Sequence, residues 1–118
     1  MCCSEADIQI SWADQRLERK CSSEKAGQRA FGSRWRSLKL RVALLEEAEC
    51  LSDLRKAPGK WHPLTADRAG QWSASLDGNY RLIVEPDHRP LPLLPDGGLD
   101  SAQVTQVKIV EVADYHGR

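Results

Sequence analysis

No apolar run in these 118 residues approaches the length of a membrane span, because charged side chains interrupt every cluster. The opening Met1-Cys2-Cys3-Ser4-Glu5 has neither the basic start nor the apolar stretch of a secretion signal. A cytoplasmic address, away from membranes, is therefore expected. Cysteine is too sparse and too irregular for a zinc site. Of the four residues, adjacent Cys2 and Cys3 cannot easily share a tetrahedral ion with the distant Cys21 and Cys50. We expect no metal, no cofactor and free thiols, with Cys50 buried on a helix. Net charge is missing too, since 17 basic residues balance 17 acidic ones. No internal repeat is visible, and the length suits a single domain over residues 1–118 with one modest core.

What is present is an uneven charge layout. Between Gln15 and Arg41 stand nine basic residues against Glu18 and Glu24, leaving this stretch at +7. The next segment swings acidic with Glu46, Glu47, Glu49 and Asp53. Such a layout attracts a polyanion from one side even at zero total charge, and Arg34, Arg36 and Lys39 are its candidate contacts. A solvated helix face would have the same composition.

Periodicity sketches the elements. Ala6–Ile10 reads as a first strand, with residues 1–5 flexible before it, and a short helix follows over Ala13–Cys21. Ser23–Glu49 reads as helical with a weak point at Gly32-Ser33. Trp35, Leu38, Val42 and Leu45 draw one apolar stripe along it, which Leu40 and Leu44 widen, so that Lys and Arg point outward. Ser52-Asp53 caps a last short turn before Pro58-Gly59. The period then changes to two. Trp61–Ala66, Gly70–Leu76 and Tyr80–Glu85 read as strands, the last two joined by the hairpin signal Asp77-Gly78-Asn79. Trp72, Ala74 and Leu76 face one way and Gln71, Ser73 and Ser75 the other; Tyr80, Leu82 and Val84 likewise alternate with Arg81, Ile83 and Glu85. One face is core and the other at least partly wet. A proline- and glycine-rich loop over residues 86–102 carries four of the six prolines, which favour polyproline geometry and exclude a sheet strand. A final strand over Val104–Ala113 has apolar residues on both faces, suggesting a central, doubly covered position. The sum is an α+β domain, with an N-terminal strand and helices packed on a mainly antiparallel sheet.

Three histidines exist. His88 lies in the proline-rich loop and reads as incidental; His62 precedes Pro63, and His116 closes Asp114-Tyr115-His116. Cleaving RNA needs a base for the 2′-hydroxyl proton, an acid for the leaving 5′-oxygen and cations around the phosphorane-like transition state. Histidine suits the proton transfers, Asp114 could orient a histidine, and Tyr115 could donate a hydrogen bond or stack on a base. Arg81, among apolar strand residues, could grip a phosphate with two donors or pair with Glu85 or Asp67. Strand alternation sends Asp114 and His116 to one face and Tyr115 to the other unless the chain turns there.

The run Pro58-Gly59-x-x-His62-Pro63-Leu64-x-x-Asp67-Arg68-Ala69-Gly70-Gln71-Trp72-Ser73, then Asn79-Tyr80-Arg81-Leu82-Ile83, then Asp114-Tyr115-His116 together resemble HigB-like toxins of the RelE/ParE superfamily. The order and spacing fit over Ile8 to His116. The resemblance implies a compact RelE-like, microbial-ribonuclease-like fold and a metal-independent, ribosome-dependent endoribonuclease that cleaves translated messenger RNA. It implies His62, Arg81, Asp114, Tyr115 and His116 as catalytic residues, with Arg68 beside the basic helix as an RNA or ribosome contact. It also implies a helix-turn-helix, HigA-like antitoxin as partner, with DNA engaged only through that antitoxin. Thr65 departs from the lysine of many relatives, the chain is neutral where such toxins are usually basic, and the proline-rich loop is long. Two other readings are a ParE-like gyrase inhibitor that cleaves nothing, and a degenerate antitoxin or RNA-binding module.

Overall fold

The three helices form where local signals start and stop them. In the computed structural model, which describes residues 8–64, 70–76, 80–88 and 90–114, a first strand β1 (Gln9–Trp12) leads into α1 (Gln15–Lys20), whose Asp14 cap accepts the Arg16 N–H. Ser23 caps α2 (Glu24–Phe31) by accepting from the Ala26 N–H. Gly32 then takes a φ of 60°, a left-handed value that ends the helix and lets α3 (Arg34–Glu47) leave in a new direction. A 3-10 turn, Leu51–Lys56, closes the helical half. The two main helices touch through an unusually close contact. A Cβ on Gly27 would lie 2.2 Å from the Trp35 ring, so only glycine lets that indole lie on the α2 backbone. Phe31 stacks beside it with ring centroids 6.3 Å apart.

Four strands follow: β2 (His62–Pro63), β3 (Trp72–Ser75), β4 (Tyr80–Pro86) and β5 (Gln106–Asp114). These four make an antiparallel meander, and β1 joins the far edge of β5 in parallel, giving the order β1-β5-β4-β3-β2. The fold is thus α+β, with helices against a five-stranded mixed sheet. One face of the sheet supplies Trp72, Ala74, Leu76, Leu82, Val84, Val107 and Ile109 to the core, and the helices answer with Leu17, Trp35, Leu38 and Leu45. Burying such side chains contributes about 1.5–3 kcal/mol each, which makes this layer the main source of stability.

Several expectations shift. The first strand lies later, at Gln9–Trp12, and residues 1–5 lie outside the described part of the chain. Of the expected Trp61–Ala66 strand, His62 and Pro63 pair with β3 and the Leu64 N–H carries the ladder on to the Gln71 carbonyl at 2.8 Å, while Thr65 and Ala66 lie outside the described residues. Leu40 does not join the apolar stripe; it is 51 % exposed. The last strand lies inside the sheet, but its second face is not apolar throughout. A bulge sets Ile83 opposite Glu111 and Val84 opposite Ile109, so Val110 is an extra residue rather than part of an apolar second face. Lys108 and Glu111 occupy that second face instead.

Candidate functional site

Alternation along β3 and β4 sends Ser73, Ser75, Arg81, Ile83 and Glu85 to the face opposite the helices. Ile83 is fully buried yet outside the core cluster, as expected of a residue on that other side. Ser73 and Ile83, direct cross-strand partners, form its buried floor. Around them Gln71, Arg81 and Glu85 are half-buried, and Gln71 Nε2 donates to Glu85 Oε1 at 3.2 Å. His62 pairs with Ser73 and so stands on the same face, at the sheet edge and exposed. Its Cα lies roughly 12 Å from that of Arg81, by two strand spacings and two residues of rise.

His62 has one ring nitrogen committed to a backbone hydrogen bond. Its Nδ1 lies 2.7 Å from the Lys60 carbonyl oxygen, which can only accept, so Nδ1 carries a proton. In the neutral ring the lone pair then sits on Nε2, directed away from the Lys60 bond. Arg81 is positioned by Ser75, whose hydroxyl accepts from Nη1. Ser75 is a junction in other respects as well. Its N–H donates to the Gly59 carbonyl at 2.7 Å, and its own carbonyl accepts from Arg41 Nε at 3.0 Å. Arg41 reaches it across the turn at Gly59, where a φ of 116° and the absence of a side chain leave room; a Cβ there would stand 2.6 Å from Arg41 Nε.

The far strand completes the geometry. Arg81 pairs with Ala113, and Tyr80 pairs with Asp114 at the end of β5. The backbone of Asp114 thus adjoins the start of β4, while its side chain and the whole of Tyr115, His116 and Arg68 lie outside the described residues. Over Tyr80 sits the guanidinium of Arg34, 3.7 Å from the ring centroid. The basic helix is therefore not uniformly outward-facing. Arg34 and Arg41, seven positions apart and two turns along α3, both bend toward the end of the sheet where β3 stops and β4 begins.

The three nominated helix residues part company. Arg34 lies against Tyr80. Lys39 is bound to Glu24 at 2.8 and 3.0 Å, and its ammonium is the main cause holding the Glu24 carboxyl below its ordinary pKa. Arg36 is exposed and lines an open concavity of about 710 Å³ between α2 and α3, with Gln28, Trp35 and Leu40. That concavity lies on the helical side, not on the face carrying His62 and Arg81. Sequence reasoning missed Arg41 and Ser75. The signal for Arg41 was its seven-residue spacing from Arg34, which puts both on one helix face. His88 is not incidental but structural, since its Nε2 accepts from the Thr105 and Gln106 N–H groups at 3.0 and 3.2 Å. Comparison of the chain with known protein families, curated proteins and solved structures returns no match.

Proposed function

We propose that the protein is a HigB-like toxin of the RelE/ParE superfamily: a RelE-like fold acting as a ribosome-dependent endoribonuclease on translated messenger RNA, silenced by a helix-turn-helix antitoxin in the cytoplasm. One observation carries the reading. Residues far apart in the chain, chosen for RNA cleavage by type alone, fall on nearby strands of one sheet: His62 on β2, Arg81 on β4, and Ala113 opposite Arg81 immediately before Asp114-Tyr115-His116.

In this reading the RNA backbone lies across the polar face. One histidine takes the 2′-hydroxyl proton, the 2′-oxygen attacks phosphorus, and the bond to the 5′-oxygen breaks. The second histidine protonates that leaving oxygen, and a 2′,3′-cyclic phosphate results. His62, with Nδ1 committed to Lys60, offers Nε2 for one of these transfers. Arg81 stabilises the extra negative charge on the phosphorane oxygens, where a planar pair of donors is better matched than a single ammonium. Asp114 orients His116, and Tyr115 donates to the phosphate or stacks on a base. No metal enters this scheme.

The test is to map 5′ ends of messenger RNA in a bacterial translation extract, with wild type and His116→Ala side by side. New ends inside translated codons, requiring both ribosomes and His116, are expected. Growth arrest without new ends would transfer the chain to a non-cleaving, gyrase-type toxin. Neither arrest nor cleavage would make it a binding module.

A further inference from the structure

The proline-rich segment between β4 and β5 takes no part in the proposed cleavage, and it is not a slack connection. It is held in two places. At the tip, Leu94-Pro95-Asp96-Gly97 forms a turn in which the Gly97 N–H reaches the Leu94 carbonyl at 2.9 Å. The Leu94 N–H returns to the Gly98 carbonyl at 2.7 Å. The Asp100 N–H to Pro92 carbonyl bond, 2.9 Å, and the Leu93–Leu99 bridge complete a small hairpin. At the base, three N–H groups cross between the two ends of the segment. Asp87 donates to the Gln106 carbonyl at 2.7 Å, and Thr105 and Gln106 both donate to His88 Nε2, at 3.0 and 3.2 Å.

Acid acts differently on the two places. The tip bonds join backbone to backbone, apart from the Gly98 N–H that the Asp96 carboxylate accepts at 2.8 Å. Two of the three base bonds end instead on one lone pair. Nε2 accepts only while that lone pair is free, so the bonded ring is neutral and carries its proton on Nδ1. A second proton can go only to Nε2. It turns the acceptor into a donor and sets an N–H against two other N–H groups. Histidine is the side chain that makes this change between about pH 5 and pH 8.

The charges around the ring do not hold it in either form by a direct bond. Among the described residues no carboxylate accepts from His88 Nδ1. Its neighbours in sequence are Asp87, which accepts from the Ser11 hydroxyl at 3.2 Å, and Arg89. On β5 the facing residues Thr105 and Gln106 are uncharged, and the first charge beyond them is the cation Lys108. Gln9 of β1, the partner of Gln106, is uncharged too. Within the hairpin the acids are Asp96 and Asp100.

We propose that His88 is an acid-labile clasp: proton uptake at Nε2 releases the Thr105 and Gln106 N–H groups and loosens the hairpin at its base, while the tip stays closed. Clasp and proton compete for one lone pair. Closure is therefore complete while the ring is neutral and is lost as the pH falls through its titration. The arm so held carries Leu91, Leu93 and Leu94, 43, 58 and 42 % exposed, three of the four exposed large apolar side chains among the described residues. The sheet feels the clasp as well, because the Thr105 carbonyl accepts from the Gln9 N–H at 2.8 Å where β1 joins β5. The clasp works in the same way whether or not the protein cleaves RNA.

Nuclear magnetic resonance of the full-length protein tests this, with amide and imidazole signals followed from about pH 8 to about pH 5. The Thr105 and Gln106 amide signals are expected to move with the same midpoint as the His88 ring. Their protection from solvent exchange, corrected for the intrinsic rate, should fall at least about tenfold, while the Leu94 and Gly97 amides keep theirs. In His88→Gln the side-chain carbonyl is an acceptor at every pH, so both responses should vanish. His88→Ala leaves the two N–H groups to water and should show the low protection already at pH 8. A His88 ring that titrates while both amides stay still overturns the proposal. So does a ring that stays neutral, with both amides protected, until the whole protein unfolds. The same amide titration in folded His88→Gln would assign the response to another group and overturn it too.

Discussion

The two faces of the sheet are made by the same strands and behave as different materials. On the helical face Trp72, Leu82, Val84 and Ile109 share one buried core with Trp35, Leu38 and Leu45 of α3, and beneath Trp35 there is no room even for a Cβ on Gly27. On the other face Ser75 and Arg81 are held by directed hydrogen bonds, and His62 projects from the edge with one ring nitrogen committed. Packing of this kind tolerates neither an added atom nor a buried charge, but it does not depend on where donors point. The polar face tolerates changes of volume but depends on where donors and lone pairs point. Stability and chemistry can therefore be damaged separately, although Ser75 belongs to both.

The sharpest separation is between Arg81 and Gly27. Arg81→Ala is expected to lower ribosome-dependent cleavage by about two to three orders of magnitude, the usual cost of removing a donor aimed at transition-state charge. The bond to Ser75 is itself worth only about 1 kcal/mol, so the variant should still fold. Gly27→Val should do the reverse. Its side chain meets the Trp35 ring, so urea unfolding should show a loss of about 3 kcal/mol, while the folded fraction cleaves normally. A comparison of unfolding midpoints and single-turnover rates checks both. If Arg81→Ala melted the protein, the polar face would be a structural layer and the division would collapse.

The division was legible in the sequence because a strand writes it with period two: Trp72, Ala74 and Leu76 against Ser73 and Ser75 needed no coordinates. The break between α2 and α3 was legible too, since Gly32 tolerates the left-handed conformation that ends a helix. Pairing between distant segments was not. Nothing local in Gln9–Trp12 announces a parallel partner in β5, and nothing in Val110 announces a bulge. The direction of Arg34 and Arg41 escapes helical periodicity for a related reason. Period assigns a face to the Cα, but a long side chain can carry its guanidinium several ångströms sideways, here onto Tyr80 and the Ser75 carbonyl. His62 and Arg81 were thus recognisable by type, and their placement on one face of the sheet depended on strand register.

A smaller effect probes the junction itself. Gly59→Ala places a Cβ against Arg41 and forces a side chain onto a φ of 116°, which should cost about 1–3 kcal/mol. Because Arg41 and the Gly59 carbonyl both brace Ser75, and Ser75 holds Arg81, the folded variant should also cleave several-fold more slowly. Unchanged cleavage in the folded fraction would show that the backbone on the helical side does not position Arg81.

The smallest effect reports which face has loosened. Cys21 packs against the core, and that burial, which disfavours the charged thiolate, pushes its thiol from 9.0 up to about 11 despite the opposing influence of Lys20. Alkylation needs the thiolate, so at pH 8 the folded protein should react at Cys21 about a hundredfold more slowly than the urea-unfolded chain. The sign follows from the cause: raising the pH toward 11 restores reactivity, and so does any opening that rehydrates the sulfur. Gly27→Val should therefore speed Cys21 labelling at constant pH, while Arg81→Ala should leave it unchanged, with peptide mass analysis separating Cys21 from the other three cysteines. Equal acceleration by both variants would mean that the sheet transmits disorder from its polar face to its helical one, and the two faces would have to be treated as a single cooperative unit.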